Sequence, residues 1–66
     1  MDDATRAMVC QSYDETIDEA LSAGHDHSIA HKEGITAAAM FLAAVQGIED
    51  ALARSMVEAL GLKPEH

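Results

Sequence analysis

The chain has 66 residues and one cysteine, which excludes a disulfide within the chain. A chain of this length buries only about 60 % of its unfolded surface and is marginally stable alone, so we expect it to need a metal or self-association. Twelve acidic residues against four basic ones give a formal net charge of -8, which repels nucleic-acid phosphates and anionic membranes. This charge favours either simple solubility or a basic protein partner.

The sequence predicts an all-α fold. Alanine, leucine, methionine and glutamate dominate, no run alternates between apolar and polar residues, and Pro64 is the only proline. Asp2 or Asp3 is expected to cap a first helix at about residues 3–23. Its inward stripe follows three- and four-residue steps through Val9, Cys10, Tyr13, Ile17, Ala20 and Leu21. We therefore interpret Cys10 as a small core residue rather than a catalytic nucleophile.

The opposite side of this helix carries four carboxylates. These are Asp14, Glu15, Asp18 and Glu19. Like charges four residues apart repel by a few tenths of a kcal/mol, and a solvated face is the simplest interpretation. The functional alternative is a surface that binds a basic partner protein, and these four residues are its predicted contacts.

A turn is expected at residues 24–27, followed by a second, longer helix at about residues 28–60 and a tail at 61–66. Gly24 can adopt the left-handed conformation that ends a helix, and Asp26 or Ser28 can cap the next one. The two helices then form an antiparallel hairpin. Whether Gly34 turns the chain stays open. Gly47, within the predicted helix, costs about 1 kcal/mol relative to alanine, which we explain by a close contact between helices.

Residues 35–48 (ITAAAMFLAAVQGI) are apolar around nearly the whole helix. Such a helix is normally buried, but this one is shorter than the about 20 apolar residues that span a membrane. We therefore predict that the hairpin dimerises into a four-helix bundle through near-heptad positions. The predicted interface consists of Ala38, Phe41, Leu42, Val45, Ile48, Leu52 and Met56.

Three histidines form the cluster of side chains best suited to bind a metal ion. His27 and His31 are four residues apart and share a helix face on which imidazoles can bind Zn, Ni or Cu, with His25 nearby. A symmetry-related copy would supply further ligands at the end of the bundle. The alternative is that they are polar residues at a helix entrance, because spacing fixes no third ligand.

Residues 29–36 (IAHKEGIT) resemble the core of a helix-turn-helix motif, in which an alanine, a glycine four residues later, an aliphatic residue and a Ser or Thr frame the turn. The resemblance implies that the following helix reads DNA. That helix would offer mainly alanine, phenylalanine and leucine side chains, with Lys32 as the only nearby cation.

The functional prediction is a non-catalytic adaptor or inhibitor that self-associates and binds a basic protein. The sequence contains no Gly-rich phosphate loop, no HExxH and no ExxH, so we expect neither an enzyme nor a cofactor. A metal-binding or metal-sensing bundle is the alternative, and a DNA-binding regulator is third. The free cysteine and the lack of a signal-peptide pattern after Met1 lead us to expect a cytoplasmic location.

Overall fold

The computed structural model describes residues 1–63 and consists of three helices. These are α1 (Asp3–Ser22), α2 (His27–Gln46) and α3 (Asp50–Ala59). No strand occurs within residues 1–63. The prediction of an all-helical fold is confirmed. Residues 64–66 of the expected tail lie outside the described residues.

Aspartate side chains start the first two helices. Asp2 accepts a hydrogen bond from the backbone N–H of Thr5 at 2.7 Å, and Asp26 accepts one from the N–H of Ile29 at 2.9 Å. Each bond satisfies one of the N–H groups that have no partner within the first turn of a helix. Between the two helices, Gly24 has a φ of 96° and the N–H of His25 donates to the carbonyl of Ala20 at 3.0 Å. This wrap-around bond ends α1 and reverses the chain.

The prediction of one long helix over residues 28–60 is wrong, because α2 ends at Gly47. Gly47 has a φ of 66°, and its N–H and that of Ile48 both donate to the carbonyl of Ala43. A left-handed residue cannot continue a right-handed helix, and only glycine adopts this conformation at little cost. The chain restarts as α3 at Asp50, with a bend of 118° between the two helices.

The predicted close contact at Gly47 is also wrong. A Cβ atom added to Gly47 would meet no atom within 4 Å. The close contact is instead at Gly34, where a Cβ atom would lie 2.8 Å from Cδ1 of Tyr13 and 3.1 Å from Cδ1 of Ile17. Gly34 lies inside α2, which passes through it without a turn. The glycine therefore permits close approach of α1 and α2.

The two longer helices run in opposite directions, and α3 packs on another side of α2. Tyr13 contacts α2 at Gly34, whereas Met8, earlier in α1, shares a hollow with Phe41, later in α2. From α3, Arg54 donates from Nη2 to Oγ1 of Thr36 at 2.8 Å. The buried apolar core draws on all three helices: Val9, Tyr13, Ile17, Ala20, Ala30, Ile35, Ala38, Ala39, Leu42, Ala53 and Val57. One chain therefore covers much of the apolar circumference of α2.

Within residues 1–63, no single helix is both long and apolar enough to cross a membrane. The helices α2 and α3 meet that criterion only when they are counted together across the bend.

Candidate functional site

The structure divides the predicted dimer interface between the core and the surface. Ala38 and Leu42 have no exposed area, because α1 and α3 cover them within the single chain. They belong to the core of the monomer and offer nothing to a second copy. The prediction for these two residues is wrong because it assumed that no other helix of the same chain covers this side of α2.

The rest of the predicted interface does not form one stripe. Phe41, Ile48 and Met56 are half-buried, whereas Val45 and Leu52 are 49 % and 51 % exposed. The heptad spacing assumed one straight helix, but the break at Gly47 places Leu52 and Met56 on α3. Any contact made by these residues therefore involves two helices that differ in direction by 118°.

A hollow of about 280 Å³ lies between α1 and α2. Met8, Gln11, Ser12 and Glu15 line it from α1, and Phe41 lines it from α2. We call these five residues the α1–α2 groove. Met8, which the sequence analysis did not single out, is 45 % exposed. The sequence feature that could have indicated Met8 is its position next to Val9, at the margin of the inward stripe.

All four predicted partner-binding carboxylates are exposed, but they diverge around α1. Glu15 lines the α1–α2 groove, where its Oε1 accepts a hydrogen bond from Nε2 of Gln11 at 3.0 Å. Asp14 instead lines a second hollow of about 300 Å³, formed with Cys10, Tyr13, Gly61, Leu62 and Lys63. Glu15 is therefore the carboxylate of this group placed beside exposed apolar side chains.

The predicted histidine cluster does not form a closed metal site. His25 and His27 are exposed and His31 is half-buried. Nδ1 of His31 lies 2.7 Å from Oη of Tyr13 and shares a hydrogen bond with it, and the two rings meet edge to face with centroids 5.7 Å apart. In the described part of the chain, no group of three or more His, Cys, Asp or Glu residues could hold a metal.

The contact between Tyr13 and His31 joins α1 to α2 beside Gly34. Tyr13 is almost completely buried, and its ring fills the space that the missing side chain of Gly34 leaves. Periodicity predicts Tyr13 on the inward stripe of α1 and His31 on a helix face shared with His27, but it does not pair the two residues. Pairing requires the relative position of two antiparallel helices, which neither periodicity supplies alone. The arrangement holds the two helices together.

The helix-turn-helix interpretation of residues 29–36 is wrong. These residues lie inside α2, which is continuous from His27 to Gln46. Oγ1 of Thr36 donates to the carbonyl of Lys32 at 3.0 Å, as expected inside a helix. Without a turn at Gly34, this segment cannot present a separate recognition helix to DNA.

Comparison with known proteins gives no assignment. The chain matches no family model, no curated protein and no solved structure.

Proposed function

We propose that the chain is a small non-catalytic interaction protein, an adaptor or inhibitor that binds a basic partner protein through the acidic side of α1. The observation that carries the proposal is the exposure of Asp14, Glu15, Asp18 and Glu19 on adjacent turns of one helix. The sequence between residues 7 and 31 contains no lysine or arginine, although Lys63 lines the same hollow as Asp14. The net charge of -8 extends this negative field over the molecule.

A field of this kind acts on the rate and the selectivity of association. Complementary charge steers an oppositely charged partner during encounter, whereas rim charges add little to the affinity of the final complex. Binding through this surface should therefore weaken steeply as salt is added, because salt screens charges over about 10 Å at 0.1 M.

The test neutralises the four carboxylates without changing their shape. The variant carries Asp14→Asn, Glu15→Gln, Asp18→Asn and Glu19→Gln. A matched control loses the same amount of charge elsewhere, through Asp3→Asn, Glu49→Gln, Asp50→Asn and Glu58→Gln. Basic proteins recovered from a native lysate by the unmodified chain should be retained by the control and lost by the α1 variant. Equal recovery by both variants would refute the proposal, provided that circular dichroism shows both to be folded.

Self-association of the α1–α2 hairpin into a dimeric four-helix bundle is a separate proposal. Exposed apolar side chains on α2 and α3 support it, notably Val45 and Leu52. Burying apolar surface stabilises a dimer by about 25 cal/mol per Å², before the entropy of association is subtracted. Light scattering at micromolar concentration should give twice the monomer mass, and a monomer mass would refute the proposal.

A further inference from the structure

We infer that the α1–α2 groove binds an amphipathic helical segment of the partner protein, with an apolar side chain in the hollow and basic side chains against the acidic end of the groove. The inference rests on the proposed function and describes the basic partner more closely. It follows from three features: an uncovered apolar face, a charge gradient along it, and the size of the hollow.

The apolar face lies on a side of α2 that α3 leaves open. Ala37 and Ala44 are one turn on either side of Phe41, and Met40 beside them is 64 % exposed. Arg54 of α3 binds α2 at Thr36, five residues before Phe41. At 3.6 residues per turn, Phe41 lies about 140° around the helix from Thr36. Met40 lies only about 40° from Thr36, and it is the exposure of its side chain that shows α3 leaves it uncovered. The small alanines beside Phe41 allow another helix to approach closely.

Charge changes along the groove. Glu15 lines it, Glu19 follows one turn later in α1, and Glu33 lies two turns before Phe41 in α2. Because the helices are antiparallel, these three exposed carboxylates lie towards the turn at residues 24–26. The opposite end is marked by Met8 and Phe41, which are apolar. A helix that fits both ends carries basic residues at one end and apolar residues along the rest of one face.

This gradient selects a basic partner over a second copy of the chain. A second copy carries the same net charge of -8 and has no lysine or arginine between residues 7 and 31. Placing two such surfaces together adds like-charge repulsion, whereas a lysine-rich helix gains attraction. Anionic membranes are repelled for the same reason.

The size and composition of the hollow indicate what enters it. Its volume of about 280 Å³ lies just below the range of about 300–1,000 Å³ found for small-molecule sites, which suits one anchoring side chain. Methionine side chains are flexible and polarizable, so Met8 can adjust to a bulky anchor in the hollow, and the exposed Met40, outside the hollow, can adjust to the rest of a helix lying on the apolar face. Tryptophan is the anchor most often found at the centre of such contacts.

The probe is a synthetic amphipathic helical peptide with leucines on one face, a central tryptophan and lysines in its last two turns. The chain itself contains no tryptophan, so a blue shift of tryptophan emission reports burial of the peptide. The test variant is Met8→Gln with Met40→Gln, because glutamine has similar helix propensity and removes only apolar character. Ile29→Gln is the matched control, because Ile29 is 43 % exposed, lies about three turns from Phe41 in α2 and belongs to none of the proposed contacts. We expect the double variant to bind about tenfold more weakly, equivalent to about 1.4 kcal/mol, and the control to bind normally.

Two further peptides separate the inference from the proposed function. One has the same composition in scrambled order, and the other has glutamate in place of lysine. Weak binding of both supports the inference. Equal binding of the scrambled peptide, unaffected by the Met8 and Met40 changes, would overturn the groove while leaving the acidic side of α1 as a basic-protein site. Equal binding of the glutamate peptide would overturn the charge match.

Two other results would also overturn the inference. Failure of every lysine peptide to bind would remove the groove, while the recovery of basic proteins by the α1 variant and its control would still decide the acidic site. A dimer that the peptide does not dissociate, and that the Met8 and Met40 changes convert to monomer, would show that a second copy occupies the groove.

Discussion

The contact at Gly34 leads to a quantitative prediction about the packing of α1 against α2. In Gly34→Ala, the new methyl group would lie 2.8 Å from Cδ1 and 2.9 Å from Cε1 of Tyr13, closer than real Cβ contacts. The ring cannot easily move, because it is buried and its hydroxyl is hydrogen-bonded to His31. Overpacking of a core costs about 1–3 kcal/mol, whereas replacing a helical glycine by alanine gains about 1 kcal/mol. We expect a net loss of about 1 kcal/mol.

Thermal unfolding followed by circular dichroism measures this loss. For a domain of this size, 1 kcal/mol lowers the melting temperature by about 4–8 °C. The same substitution in a Tyr13→Phe background should cost less, because the ring loses its hydrogen bond to His31 and is freer to shift. A melting temperature of Gly34→Ala at or above that of the unmodified chain would show that the ring moves aside and would refute the reasoning. Equal costs in the two backgrounds would show that the hydrogen bond does not hold the ring.

Three further predictions concern single residues. Gly47→Ala should destabilise by about 1–2 kcal/mol in urea unfolding, because alanine is strained at a positive φ, while D-alanine there should be tolerated; equal effects of the two isomers would contradict the assignment. Leu42→Ala should lower the free energy of unfolding by about 2–5 kcal/mol at every protein concentration, since Leu42 is buried within one chain. A loss that grows with protein concentration would show that Leu42 lies in an interface between chains. Hydrogen bonds from Thr5 lower the pKa of Asp2 below 3.8, so its contribution to stability is present above that pH and is lost as pH falls through the lowered pKa. Asp2→Asn retains a capping side chain but does not titrate, and acid unfolding curves that stay parallel for the two proteins would contradict this.

Three of the four glycines, Gly24, Gly34 and Gly47, show how far the sequence determines the fold. Gly24 lies between a clear apolar stripe and the capping residue Asp26, so the end of α1 could be located from neighbouring residues. Gly47 lies between Gln46 and Ile48 with no capping residue or proline beside it, and it resembles a glycine inside a helix. Gly34 also lies within a predicted helix. Gly47 nevertheless ends α2, whereas Gly34 permits close packing of α1 against α2. Contacts distant in the sequence decide between these roles, because local helix propensity is the same at both positions.

The candidate site was predictable to the extent that it depends on a single helix. The exposure of Asp14 and Asp18 follows from the periodicity of α1 alone. Periodicity does not predict that Phe41 lies in the groove while Leu42 lies in the core. That difference depends on where α1 and α3 cover α2. The groove also needs Met8 and Phe41 from different helices, and their pairing is fixed only when the two helices pack.

The short third helix makes the free energy of local unfolding uneven along the chain. A helix of ten residues is marginal in water on its own, and Glu49, which precedes α3, provides no side-chain hydrogen bond to its first turn. Its retention depends on Ala53 and Val57 in the core and on Arg54 at Thr36. Such units open by local unfolding with less free energy than the whole domain. Amide hydrogen exchange should therefore be fastest in α3 among the three helices, and limited proteolysis should first cut near residues 47–49.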